Sequence, residues 1–348
     1  MPDSKPLSRP QIITYQEADL EATISSVAWV PSSPRLVAAG TTLQNTGFVK
    51  IFRLGKELAK VQTIQREFGV VALTFRGSSL QDRRLGVGDS GGRVYCLDLE
   101  ENKEVWGLRG HELVNCIDGA GGRGVGPAEL VSGGREGNVK VWDTRVASKP
   151  VVNMEPESAR RECWAVSAGN CHSDEERMIA AGYDNGDVKV WDLRTMQLYW
   201  ETNVGNGVCG LEWDRRDIQI NKLAAVTLEG GLHVWDCSVL GKHGKMAEVK
   251  TKVGACTVWT VRHSPHNREL LVTGAGGGCL ALHQYEYPEK RRAEGEGVAG
   301  TLHNLQTHQI SDQPINCVDW SPDKQGLLAT ASFDQRLRVV FVTKLNLL

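Results

Sequence analysis

The chain has 348 residues, 41% of them hydrophobic, and a formal net charge of -2 at neutral pH. Binding to phosphate groups needs clustered positive charge, so this balance gives no reason to expect a nucleic-acid partner. The purely apolar runs are only a few residues long, whereas a membrane-spanning helix needs roughly 18 to 20 apolar residues. We therefore expect a protein that binds neither nucleic acid nor membrane.

The amino terminus reads Met1-Pro2-Asp3-Ser4-Lys5-Pro6 and has no apolar segment behind a basic one. A secretory signal consists of a basic segment followed by an apolar one, and because this chain begins without that pattern, secretion is not expected. The first stretch with strand composition is Gln-Ile-Ile-Thr-Tyr at residues 11–15, which is rich in the β-branched and aromatic residues that favour strands. It precedes a series of repeats that fills the rest of the chain.

Seven repeats each open with a short motif, apolar-x-x-apolar-x-aromatic or small. The motif begins at Ile24, Val70, Val114, Cys163, Val208, Val258 and Ile315. Its final positions are 29, 75, 119, 168, 213, 263 and 320, separated by 46, 44, 49, 45, 50 and 57 residues. A period of about 40 to 45 residues is that of WD repeats, each of which forms one four-stranded propeller blade. The spacing predicts an all-β fold with seven blades, each motif being the innermost strand of its blade.

A second strand, a tight turn and a third strand follow each opening motif. The second strands are predicted at residues 36–40, 84–88, 129–133, 178–182, 223–227, 270–274 and 327–332. The clearest turn is Asp184-Asn185-Gly186, after which apolar and other residues alternate up to Asp192. Third strands end in Trp-Asp at residues 142–143, 191–192 and 235–236. Only blade three, with Gly110-His111, Ser132, Glu136 and Trp142, has several members of the side-chain network that ties turn to strand in WD repeats.

Fourth strands are the least regular. We predict them at residues 58–64, 104–108, 150–154, 198–203, 246–251 and 302–306, which leaves blade seven without one. Residues 11–15 have no other assignment, so they are predicted to pair with blade seven and close the ring, which removes its open edges. Deleting residues 1–20 should then destabilise the whole ring.

Two segments lie outside the repeat. Residues 119–127 are glycine-rich but lack the ending and the helix of a phosphate-binding loop, so they are read as a flexible connection. Residues 288–300 are charged and are read as a mobile surface loop. Residues 1–348 are therefore treated as a single propeller domain.

The nine cysteines form no paired CxxC motifs, which fits a reducing cytoplasm. Cys163 with Cys171-His172 does not complete the four ligands of a structural zinc site, so no metal or cofactor is expected. The chain has no GxSxG or HExxH motif. The opening strands supply no nucleophile, base or metal set that converges on the central channel, and we predict a protein without catalytic activity.

Binding residues are predicted on one face of the ring. The position after the first apolar residue of each opening motif should lie near a mouth of the channel, and the residue before each turn acid should share that face. Trp, Tyr and Arg are enriched at binding hot spots. The candidates are Trp164, Trp259, Asn115, Asn316, Arg135, Tyr183 and Phe333. The alternative for the two tryptophans is that they wedge between blades, and substitution by Ala would separate lost binding from lost folding.

Several runs outside the WD consensus resemble the Monad family of cytoplasmic WD-repeat proteins. They are Asn153-Met154-Glu155-Pro156, Ala181 to Asp187, Trp200-Glu201-Thr202-Asn203, Asn206-Gly207-Val208-Cys209, Asn221-Lys222-Leu223, Ser332-Phe333-Asp334-Gln335 and Val342 to Asn346. The resemblance covers essentially the whole chain. It implies a monomeric cytoplasmic adaptor for preassembly of axonemal dynein arms, working with dynein chains, a RuvB-like ATPase and a prefoldin-like co-chaperone complex.

A second function comes from two WDxR sequences, Trp142-Asp143-Thr144-Arg145 and Trp191-Asp192-Leu193-Arg194. They resemble the box that propeller substrate receptors of cullin-RING ubiquitin ligases present to their adaptor. Arg145 and Arg194 are equally explained as solvated residues after a strand. Co-purification with a cullin would favour the receptor. A third possibility, a propeller hydrolase, would require turnover of a substrate and loss of that activity when a channel residue is changed.

Overall fold

A computed structural model describes residues 9–121, 125–146, 148–156, 161–241 and 244–347. These residues form seven four-stranded antiparallel sheets, and the inner strands of successive sheets contact one another around a closed ring. The seven-bladed propeller predicted from the repeat spacing is confirmed. None of the helical segments in this part of the chain is long and apolar enough to cross a membrane.

The strands are numbered in chain order, starting with β1 (Ile12–Asp19). Blades one to three are β2 (Thr23–Trp29), β3 (Arg35–Thr41), β4 (Gly47–Leu54) and β5 (Leu58–Arg66); β6 (Val70–Thr74), β7 (Leu85–Asp89), β8 (Arg93–Asp98) and β9 (Lys103–Arg109); and β10 (Val114–Ala120), β11 (Glu129–Gly134), β12 (Val139–Asp143) and β13 (Val152–Met154). Blades four and five are β14 (Cys163–Gly169), β15 (Met178–Tyr183), β16 (Asp187–Asp192) and β17 (Gln197–Asn203); and β18 (Val208–Trp213), β19 (Lys222–Thr227), β20 (Gly231–Leu240) and β21 (Met246–Lys252). Blade six is β22 (Val258–His263), β23 (Leu270–Ala275), β24 (Cys279–Glu286) and β27 (Thr301–Gln309), with a hairpin of β25 (Arg292–Ala293) and β26 (Glu296–Gly297) before β27. Blade seven is β28 (Ile315–Trp320), β29 (Leu327–Ser332) and β30 (Arg336–Val342), completed by β1, and a 3-10 turn follows at Leu345–Leu347.

The ring is closed by β1, which pairs antiparallel with β30. Backbone hydrogen bonds extend the seam at both ends, from Thr343 N to Gln11 O (2.9 Å) and from Leu20 N to Gln335 O (3.0 Å). Arg336 Nη1 also contacts Glu17 Oε1 at 2.8 Å. The predicted closure is thus confirmed, by a strand that is longer than residues 11–15.

The hydrophobic core lies between neighbouring blades. One cluster of buried residues joins blade seven to blade one and contains Ile24, Leu36, Ala329 and Leu337. Burying both sides of every sheet requires a neighbour on each side, so the packing energy depends on an unbroken ring.

The segment at residues 288–300 is more ordered than the predicted mobile loop. Its β25–β26 hairpin packs on β20 and β21 of blade five. Arg291 anchors it, with Nε 2.8 Å from Asp236 Oδ2 and Nη2 2.7 Å from Asn221 Oδ1. This anchoring could not be predicted from local pattern, because the partners of Arg291 lie 55 and 70 residues away. In the other predicted connection, residues 122–124 lie outside the described residues.

The seam can be tested with two adjacent isoleucines of β1. Ile12 is 5% exposed and lies in a cluster with Leu280 of blade six and Val342, whereas Ile13 is 45% exposed. Ile12→Ala should lower the free energy of unfolding by about 2–4 kcal/mol, because it leaves a cavity at the seam. Ile13→Ala, the control, should cost about 0.5 kcal/mol or less. Equal effects in chemical denaturation would contradict the packing described for β1.

Candidate functional site

A β-bulge changes the direction of one side chain in every inner strand. The register shifts after the first residue of six inner strands, for example between Cys163 and Ala165 in β14 and between Val258 and Thr260 in β22. In β2 it shifts after the second residue, Ile24. A bulged residue is left out of the ladder, so its side chain turns away from the regular alternation. The seven bulged positions are residues 25, 71, 115, 164, 209, 259 and 316. They lie on the face that also carries the tight turns between second and third strands, here named the turn face.

Three of the predicted residues meet around one carboxylate on blades three and four. Glu162 contacts Arg135 Nε through Oε1 at 3.3 Å, and its Oε2 accepts hydrogen bonds from Trp164 Nε1 at 3.2 Å and Asn115 Nδ2 at 3.5 Å. We name Arg135, Asn115, Glu162 and Trp164 the Glu162 cluster. Trp164 is half-buried and packs over Gly207 of the next blade, where an added Cβ would lie 2.6 Å from its ring.

A second pair of aromatic residues lies on blades six and seven. Trp259 and Phe333 make an edge-to-face contact with their ring centroids 6.0 Å apart. Phe333 is 43% exposed, whereas Trp259 is half-buried and its Nε1 has no hydrogen-bond partner among the described residues. This Trp259–Phe333 pair therefore offers an aromatic edge and a buried donor to a protein that covers it.

The remaining two predicted residues serve the fold. Tyr183 is only 5% exposed, and burial raises the pKa of its hydroxyl, so its ring is not presented on the turn face. Asn316 donates from Nδ2 to Ile24 O at 2.7 Å and to Ser25 O at 3.3 Å, which links blade seven to blade one. The structure therefore leaves five candidates on the turn face and brings them together in two groups.

Sequence reasoning missed further features of the turn face. Leu43 is 82% exposed and Phe68 is 40% exposed, in a turn and a connection of blades one and two. Among the described residues, exposed acids outnumber exposed basic residues in the connections and turns of this face, where the exposed basic residues are Arg135 and Arg161. The acids are Glu21, Glu67, Glu112, Glu155, Glu229 and Asp312. The periodicity of the repeats could have assigned these turns and connections to one face.

Polar side chains also converge at the opposite mouth of the channel, here named the loop face because the connections from inner to second strands lie there. The residue four positions after each opening residue points toward this mouth. Four of these side chains accept a hydrogen bond from the backbone N–H of the following blade. The bonds are Ala168 N to Asp118 Oδ2 (2.9 Å), Trp213 N to Ser167 Oγ (3.2 Å), His263 N to Glu212 Oε2 (2.5 Å) and Trp29 N to Asp319 Oδ2 (2.9 Å).

Three arginines pair with these carboxylates. Arg76 Nη2 lies 2.9 Å from Glu212 Oε1 and Arg216 Nη1 lies 2.8 Å from Asp118. Arg262 Nη1 lies 3.5 Å from Glu212 Oε1. The sequence analysis looked for a nucleophile, base or metal set at the channel and missed this cluster of ion pairs, because it did not align the fifth position of the opening strands.

Burial shifts the pKa values of several titratable groups at this mouth. Desolvation raises the pKa of Asp118 to about 6, although Arg76 opposes the rise, and burial lowers the pKa of His263 to about 4. Cys171 also lines the mouth, and burial raises the pKa of its thiol to about 12, so the thiolate nucleophile is scarce at neutral pH. Among the described residues, no group of three or more His, Cys, Asp and Glu side chains could hold a metal ion.

Comparison with known proteins assigns the chain to a family. Residues 102–143 and 300–340 match the model described as WD domain, G-beta repeat. The chain is 45% identical over 350 residues to dynein axonemal assembly factor 10 of Homo sapiens, covering 97% of this chain and 98% of that protein. The proteins of the same name from Xenopus laevis (44% over 355 residues, 99% of each chain) and Chlamydomonas reinhardtii (42% over 352 residues, 97% and 98%) are similar along their whole length. The chain belongs to the dynein axonemal assembly factor 10 family.

Membership in the dynein axonemal assembly factor 10 family confirms the resemblance to the Monad family. The first segment that matches the WD-repeat model contains the predicted network of blade three. Ser132 Oγ lies 2.7 Å from His111 Nε2 and accepts from Trp142 Nε1 at 2.7 Å, while His111 Nδ1 lies 2.5 Å from Glu136 Oε1. Burial alone would raise the pKa of Glu136, but the hydrogen bond with His111 and backbone donors outweigh it and hold that pKa at about 2.

The two WDxR sequences of this dynein axonemal assembly factor 10 family member have exposed arginines. Arg145 is 70% exposed and pairs with Asp143 of its own motif at 2.6 Å. Arg194 is 63% exposed and lies 3.8 Å from Asp192. Each guanidinium group therefore forms an ion pair with a carboxylate of its own motif and remains accessible to solvent.

Disrupting the side-chain network of blade three should lower the stability of the protein. Ser132→Ala removes the common partner of two buried groups, the imidazole of His111 and the indole N–H of Trp142. The free energy of unfolding should fall by about 1–3 kcal/mol. Ser148→Ala, at an exposed position in the same blade, should leave it unchanged within about 0.5 kcal/mol. Matching denaturation curves for the two variants would show that the network contributes nothing.

Proposed function

We propose that this protein is a non-catalytic adaptor for the assembly of axonemal dynein arms in the cytoplasm. The observation that carries the proposal is identity of 42–45% along essentially the whole chain to proteins named dynein axonemal assembly factor 10 in three distant organisms. Similarity over the full length supports a shared role of the entire ring.

The properties of the ring support an adaptor without its own chemistry. The inner-strand carboxylates are occupied by backbone N–H groups and arginines. The thiol at the loop face has a raised pKa. A closed propeller with interlocked blades instead offers a rigid surface that holds partners without an ordering cost of its own.

The turn face is the proposed docking surface. Phe333 and Trp259 would supply an aromatic contact, and the Glu162 cluster would supply a tryptophan and a carboxylate. Exposed acids lie in the connections and turns of the same face, so the complementary partner segment is basic and carries an apolar or aromatic anchor. We propose that such a segment belongs to the dynein chains or to the RuvB-like ATPase and prefoldin-like co-chaperone complex, and that the protein acts as a monomer.

The docking surface can be tested by affinity purification of the full chain from ciliated cells, with partners quantified by mass spectrometry. Phe333→Ala should reduce recovery of dynein heavy chains or RuvB-like ATPases about tenfold, as expected for a hot-spot aromatic residue. Its melting temperature should stay unchanged because Phe333 is 43% exposed. Tyr199→Ala is the matched control, since Tyr199 is 42% exposed on the outer strand of blade four.

The same experiment separates the tryptophan alternatives and the second function. Trp164→Ala and Trp259→Ala should reduce partner recovery at an unchanged melting temperature, whereas a lowered melting temperature with normal recovery would assign both residues to blade packing. Unchanged recovery with Phe333→Ala would overturn the turn face as the docking surface. The second candidate, a cullin-RING substrate receptor, is favoured by the accessible Arg145 and Arg194, and recovery of a cullin that is lost in the double Arg→Ala variant would establish it.

A further inference from the structure

The loop-face mouth of the channel encloses a cavity of about 220 Å³ that all seven blades line. It lies at the opposite end of the channel from the turn face. We propose that this cavity binds a carboxylate of an acidic peptide segment through the guanidinium groups of Arg76 and Arg262. The proposal is independent of the dynein-assembly role and of the turn face.

The charged groups are layered so that the guanidinium groups meet an incoming ligand first. The side chains of Arg76 and Arg262 are 35% and 29% exposed. Those of Asp118 and Glu212 beneath them are 6% and 3% exposed. Asp319 is half-buried and is engaged by the backbone N–H of Trp29. The accessible polar part of the wall is therefore rich in hydrogen-bond donors, which favours an anion.

Two donors that line the cavity are not used by the described residues. Arg216 Nη2 is buried without a hydrogen-bond acceptor, and its nearest charged partner, Glu212 Oε1, is 3.6 Å away. Trp29 Nε1 is also buried without an acceptor. The equivalent Trp213 and Trp320 donate to backbone carbonyls of the preceding blade, at 3.2 and 3.1 Å. Buried donors are normally satisfied, but these two atoms have almost no accessible surface, so the more exposed guanidinium groups of Arg76 and Arg262 are the donors open to a ligand.

The charge balance favours a carboxylate over a more highly charged anion. Among the described residues, the lining holds six carboxylates and four arginines. Asp214, one of the six, is paired with Lys222 and Arg268, so the mouth has little net charge. A dianion such as phosphate would be repelled by these carboxylates, whereas a single carboxylate can accept paired N–H bonds from a guanidinium. Two acids at the rim are already engaged, Asp217 by Arg215 at 2.7 Å and Asp323 by the N–H of Ser32 at 2.7 Å.

The size and the rim of the cavity favour a peptide. The cavity of about 220 Å³ is large enough for one acidic side chain or a chain terminus. The rim is apolar, with Pro31, Pro265, Pro322 and Leu80, and Leu80 is 41% exposed. An apolar residue next to the acidic one would cover this rim, whereas a free small anion would leave it exposed.

Fluorescence anisotropy with a labelled hexapeptide, Ser-Gly-Leu-Asp-Leu-Glu with a free carboxyl terminus, tests the proposal on the full chain. Its amidated Asn/Gln counterpart should bind at least about tenfold more weakly, because it lacks the carboxylates. Inorganic phosphate should compete poorly. Equal binding of the two peptides would overturn the proposal. Phosphate that displaces the acidic peptide at lower concentration than free glutamate does would overturn the assignment to a carboxylate.

Two Leu→Glu variants, one at each face, locate the site without changing the buried ion pairs. Leu80→Glu places a negative charge at the cavity rim and should weaken binding of the acidic peptide about tenfold. Leu43→Glu, the same change at an 82% exposed position on the turn face, should leave binding unchanged. Arg76→Lys keeps the charge but loses the forked donors, and should weaken binding similarly with the fold intact. The proposal fails if the two Leu→Glu variants bind the peptide equally well. This comparison tests the proposal even if the Arg76→Lys variant does not fold.

Discussion

The antiparallel pairing of β1 with β30 is the interaction on which the rest of the structure depends. It joins residues 12–19 to residues 336–342, so the two ends of the chain share one sheet. Asn316 and Asp319 of blade seven then bond to the backbone of blade one, across the same boundary. Because the core lies between blades, an open seam would expose apolar faces on both sides. The seam therefore stabilises blades that it does not touch.

Ring closure also produces both candidate surfaces from ordinary strand features. A bulge at the residue after each opening residue directs a side chain toward the turn face, and the residue four positions after the opening residue points toward the loop face. Neither position forms a site within one blade. Seven copies placed around a channel bring together Asp118, Glu212 and Asp319, which are separated by about one hundred residues or more in the sequence.

The sequence predicted the features that recur in every repeat, but it did not predict contacts between residues far apart in the chain. Spacing of the opening motifs predicted seven blades, and the strand composition of residues 11–15 predicted the closing strand, because both depend on local pattern. Glu162 was missed since it lies in a connection without a motif, although it organises three predicted residues. The anchoring of residues 288–300 by Arg291 and the burial of Tyr183 were also missed, because both depend on side chains from distant parts of the chain.

Hydrogen exchange measured by mass spectrometry tests the central claim, that the seam is part of one cooperative ring. If it is, the amides of β1 and β30 should exchange as slowly as those of the buried inner strands β14 and β18, because separating β1 from β30 requires the whole ring to unfold. Fast exchange of β1 and its partner strand, with β14 and β18 still protected, would contradict the claim. It would show that the seam opens alone and that the ring is stable without it.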